Sequence, residues 1–114
     1  MNIEEEKQKT IDSIHNDIIE EVIKKIPFDK IDENLFMRIV SCSQNLLDEY
    51  VNRKDIYTYR VVCDATNNTN ETIRNGEVHC KIAILFTMAD YIPNGWVNID
   101  CKIEFPHLRK EDEN

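Results

Sequence analysis

A chain of 114 residues that is 41% apolar, with two glycines and three prolines, suits one modest hydrophobic core and argues against a low-complexity linker. Its 22 acidic against 14 basic side chains leave a net charge of −8, and basic residues never run beyond pairs such as Lys24-Lys25 and Arg109-Lys110, so neither nucleic acid nor an anionic membrane is expected as a partner. The start Met1-Asn2-Ile3-Glu4-Glu5-Glu6 lacks the character of a signal peptide, and no apolar stretch approaches the roughly 20 residues that span a bilayer, which predicts a soluble chain that stays in the cytoplasm.

Residues 3–26 read as an amphipathic helix. Ile11, Ile14, Ile18, Val22, Ile23 and Ile26 recur three and four apart and draw one apolar stripe. Glu20 with Lys24 and Glu21 with Lys25 form i,i+4 pairs on the opposite side, and Pro27 ends the run. A second helix starts after Asp32, a good N-cap, with a stripe through Leu35, Phe36, Ile39, Val40, Ser43, Leu46, Leu47, Tyr50 and Val51. The first stripe has two possible uses: packing within the chain, or docking onto a neighbour through Ile14, Ile18 and Val22.

From Asp55 the period changes to two. Ile56–Cys63 reads as a strand, 64–70 as a polar loop, and Glu71–Asn75 as a single helical turn closed by Gly76. The next strand, Glu77–Phe86, puts Val78, Cys80, Ile82, Ile84 and Phe86 on one face and His79, Lys81, Ala83 and Leu85 on the other. Pro93-Asn94-Gly95 signals a turn. Trp96–Phe105 then alternates cleanly, with Val97, Ile99, Cys101, Ile103 and Phe105 inward, and Pro106 opens a charged tail expected to fray. The order α-α-β-(short α)-β-β predicts a single α+β domain over 1–114: an N-terminal helix within 1–27, an α+β module over 32–105 and a tail over 106–114. Two N-terminal helices pack on a small, mostly antiparallel sheet of about three strands, whose open edges invite β-augmentation.

The segment running from Leu46-Leu47-Asp48-Glu49-Tyr50-Val51 through Tyr59-Arg60-Val61-Val62-Cys63-Asp64 resembles the C-terminal subdomain of contractile phage tail sheath proteins. That family carries an RVVCD-like strand, an NNTxExI loop, a Gly or Asn turn and a long alternating strand. Here these are Arg60–Asp64, Asn67-Asn68-Thr69 with Glu71 and Ile73, Asn75-Gly76, and Glu77–Phe86, while Ala89-Asp90-Tyr91-Ile92 echoes a later element. The similarity covers about residues 35–92. A sheath protomer has several hundred residues before this subdomain, and its final strand follows without the Pro93-Asn94-Gly95 insertion. The resemblance implies a structural virion protein, a sheath, terminator, neck or baseplate-proximal component, assembled in the host cytoplasm. It implies a homo-oligomer, ring or helical, with sheath or tube as neighbours and strands exchanged between chains. The competing class is a small adaptor that docks by its first helix and stays monomeric until its target arrives.

Candidate contact residues are Arg60, Asp64, Asn67, Asn68, Thr69 and Trp96. Arg60 suits either a cross-strand pair with Asp100 or Glu104 or an intersubunit ion pair. Asp64, Asn67, Asn68 and Thr69 are the residues that organise loops by side chain–backbone hydrogen bonds, with a contact role as the alternative. Trp96, on the polar face of the last strand, is either an exposed anchor or covered by another segment. The four cysteines, Cys42, Cys63, Cys80 and Cys101, lack the short Cys-x-x-Cys spacing of zinc sites, and three fall on apolar strand faces, so core packing is expected and no metal or other cofactor. Cys63-Asp64 with His79 has no spacing that selects a catalytic set, and two glycines leave no phosphate loop; no enzymatic activity is expected.

Overall fold

The computed structural model describes residues 3–88 and 95–110. Helix α1 covers Ile3–Asp17 and passes into a π-helical turn, Ile18–Val22, and a 3-10 turn, Ile23–Lys25. Helix α2 spans Glu33–Asn52, strand β1 Thr58–Val62, the short helix α3 Asn70–Arg74, strand β2 Glu77–Leu85 and strand β3 Val97–Glu104. The strands form an antiparallel sheet in the order β1-β2-β3. Both long helices lie on one face, α2 against β1 and α1 with its π turn against β3. This is the expected α+β architecture.

The first helical segment differs from a uniform α-helix for a geometric reason. Ile18 and Ile23 are both fully buried yet five residues apart, a separation that one π turn aligns. The Ile23 N–H accordingly donates to the Ile18 carbonyl. Ile14, Ile18, Val22 and Ile23 all lie in the chain's own core. At about 1.5–3 kcal/mol per buried side chain, lifting these four out to dock elsewhere would cost at least about 6 kcal/mol. The notion that Ile14, Ile18 and Val22 engage a partner is therefore corrected: the stripe packs in cis. A hydrogen-bonded set fixes the contact between helices, with Tyr50 Oη donating to Asp17 Oδ2 at 2.6 Å and lying 2.7 Å from Ser13 Oγ.

Helix α2 begins where expected, because the Asp32 side chain accepts from the Leu35 N–H at 3.0 Å. The ion pairs Glu20–Lys24 and Glu21–Lys25 form, each 2.9 Å long and exposed. Alternation in β3 is as read, with Ile99, Cys101 and Ile103 buried between exposed neighbours. Leu85 is a departure. It is buried although it lies on the sheet face away from the helices, just past the Ile84–Val97 pair on the side of Trp96.

The segment after Pro106 does not fray as far as Lys110. Pro106–Leu108 forms a 3-10 turn, Phe105 N–H donates to the Gly76 carbonyl at 2.7 Å, and Lys110 N–H donates to the Arg74 carbonyl at 2.8 Å. Gly76, at φ +74°, makes this strap possible, since a Cβ there would stand 2.5 Å from the Phe105 carbonyl oxygen. The Ala89–Ile92 element, the Pro93-Asn94 part of the turn and residues 111–114 lie outside the described residues.

Candidate assembly surface: the β1 edge and its groove

Strand β1 is β-branched and aromatic because one face must cover α2 and one side must pair with β2. Its register is Thr58 opposite Leu85, Arg60 opposite Ala83 and Val62 opposite Lys81. Tyr59 and Val61 point toward the helices, and Tyr59 Oη donates to Asp48 Oδ1 of α2 at 2.6 Å. Burial, helped by that hydrogen bond, pushes the Tyr59 phenol up to about 12. On its far side β1 pairs with no strand among the described residues.

Beside that open edge runs a groove of about 440 Å³, lined by Met37, Val40, Ser41 and Gln44 of α2 and by Val61, Val62, Cys63 and Asp64. Met37 is 64% exposed and Val62 38%, and Tyr57, just before the strand, is also exposed. An additional strand hydrogen-bonded to β1 would lay alternate side chains against Met37 and Val40. The opposite edge of the sheet is blunted by charge: β3 carries Asp100, Lys102 and Glu104, and Lys102 sits between Glu104 at 3.3 Å and Glu77 at 3.9 Å.

Arg60 and Trp96 come together across the outer face, with the guanidinium 4.3 Å from the indole ring centroid. The expected pairing of Arg60 with Asp100 or Glu104 is overturned by register: Arg60 lies opposite Ala83, which lies opposite Asn98. Trp96 is half-buried in this stack.

Asp64, Asn67, Asn68 and Thr69 are brought together as a self-organised loop. Asp64 Oδ1 accepts from Thr66 N–H and Thr66 Oγ1, which holds its carboxyl below the usual range. Asn67 Nδ2 donates to the Val62 carbonyl at 2.7 Å. Thr69 caps α3, exchanging hydrogen bonds with Thr72. Asn68 is only 2% exposed; its Oδ1 accepts from His79 N–H at 2.8 Å while Nδ2 donates to the His79 carbonyl at 2.9 Å. It replaces the strand residue that β1 no longer supplies. Asn68 is thus a structural member of the sheet rather than a contact residue.

Of the groove residues, the sequence reading singled out only Asp64 as a contact candidate. The available signal was Met37, an apolar residue off the α2 stripe. The buried cysteines sit on the sheet's inner face, and no group of three metal-ligating side chains is arranged to hold an ion among the described residues.

Comparison with protein-family models, with curated proteins and with solved structures finds no match for this chain. The likeness to sheath subdomains rests on the sequence motifs alone.

Proposed function

We propose that this chain is a non-catalytic structural protein that assembles by strand addition at β1, as a sheath-like component of a contractile phage tail. The observation that carries the reading is an open β-branched strand edge running beside an exposed apolar groove. Main-chain hydrogen bonds to an edge supply affinity, and pockets for alternate side chains supply specificity. The ordered motifs from Arg60 to Phe86 supply the context, in which neighbouring copies or adjoining tail proteins such as sheath or tube donate the strand. The role is that of a lattice element, a ring or short helix, rather than a monomeric adaptor. An adaptor that docks by its first helix would need an apolar stripe that the core already occupies.

Amide hydrogen exchange on dilute and concentrated protein tests this reading. Assembly at β1 predicts that protection grows with concentration at residues 58–64 and on the 37–44 face of α2. Protection that grows instead along β3, or nowhere, would remove the β1 edge from the account.

A further inference from the structure

The register aligns three thiols in a row across the sheet. Cys80 stands opposite Cys101, and Val62 opposite Lys81 places the next residue, Cys63, opposite Cys80. All three are buried and free, with Ser43 of α2 above the row, its hydroxyl lying against the Cys80 thiol without a hydrogen-bond partner. As packing, the row of small side chains lets α2 approach the sheet closely. Yet the groups are not equivalent. Cys63 follows the last residue of the edge strand and lines the surface groove. Asn68 Nδ2 donates to its sulfur at 3.9 Å, and the Cys63 side chain beside Cys80, together with burial, pushes the Cys80 thiol up. Cys101 lies mid-strand, where burial pushes its thiol up to about 12.

We propose that Cys63 and Cys80 are poised to close a reversible cross-strand disulfide that staples the edge strand β1 to β2 when the chain meets a small-molecule disulfide. The Cys63 thiolate attacks one sulfur of the oxidant, forming a mixed disulfide and releasing one thiolate. Cys80 then loses its proton to solvent or to the departing thiolate and attacks Cys63 Sγ, expelling the second thiol. Two protein thiols are oxidised and one oxidant disulfide is reduced to two thiols. Directly opposed Cβ atoms in an antiparallel pair lie about 4.5–5.5 Å apart, wider than the ~3.5–4.5 Å of a relaxed bridge. Closure therefore draws β1 inward and leaves a bond that is easily reduced. The inference stands independently of the assembly reading.

The test uses the full chain carrying Cys42→Ser, which removes the exposed thiol and leaves three. The folded protein is incubated with oxidised glutathione, denatured, alkylated and peptide-mapped without reduction. The expected result is loss of two of the three thiols and one linked peptide joining residues 63 and 80, reversed by dithiothreitol. Three thiols still free, glutathione stalled on Cys63, or a Cys80–Cys101 link would overturn the proposal. In a second variant adding Cys63→Ala, Cys80 and Cys101 should both stay reduced; their joining to each other would contradict the role given to Cys63.

Discussion

Replacing Asn68 tests how the sheet ends. Its side chain satisfies both backbone groups of His79 and also donates to the Asp64 carbonyl at 3.1 Å. Asn68→Ala leaves the His79 N–H and carbonyl without these partners in a mostly buried place. A buried polar group left unpaired costs about 1–3 kcal/mol, and partial access of water to half-buried His79 lowers the sum. The expected loss is about 3 kcal/mol, enough to lower the thermal midpoint by roughly 10 °C or more for a domain of this size. Urea unfolding followed by circular dichroism reads it as a lower midpoint at unchanged slope. Asn68→Asp sharpens the case. It keeps the acceptor for His79 N–H but sets a carboxylate against two carbonyl oxygens. Its folded-state pKa should rise above the unfolded value, so this variant should gain stability as pH falls and lose it as pH rises through the folded pKa. A loss below about 0.5 kcal/mol for Asn68→Ala, or a pH-independent Asn68→Asp, would refute the reasoning.

Three further outcomes are expected. Gly76→Ala meets the Phe105 carbonyl and a positive φ, and should cost about 2 kcal/mol in the same unfolding assay while exposing residues 105–110 to faster proteolysis. Tyr59 holds its proton more tightly when folded, to about 12 against an ordinary value of 10. Its contribution is therefore complete below pH 10 and lost between about 10 and 12; alkaline unfolding curves should show this decline, and Tyr59→Phe should reduce it, leaving the part due to Tyr50, whose phenol is raised by burial and the Asp17 hydrogen bond. Arg60→Ala removes the cation stacked on Trp96, and should cost about 0.5–1 kcal/mol and change the emission of the single tryptophan.

Much of the fold was legible because the periods are strong. β3 alternates without a break, Asp32 caps α2 as its residue type suggests, and Gly76 ends α3 at a positive φ. The π turn was not legible, because an apolar stripe at 14, 18, 22, 23 and 26 fits an α-helix until the core demands Ile18 and Ile23 together. Everything that depends on register was beyond reach: the partner of Arg60, the row of thiols, and the groove at the β1 edge. Asn68 illustrates the limit well. Its residue type announced a loop-organising role, but its partner His79 lies eleven positions away, at a distance no local pattern specifies.

The central claim, strand-mediated assembly at β1, is tested most directly by light scattering on a size-exclusion column over a wide concentration range, comparing the natural chain with Val62→Lys. Val62 is already partly exposed, so the lysine places a charge at the open edge without entering the core. The account predicts a discrete oligomer for the natural chain, with three- or six-fold stoichiometry the most telling, and a monomer for the variant. A natural chain that remains monomeric at every concentration, or an oligomer that Val62→Lys leaves intact, would contradict it.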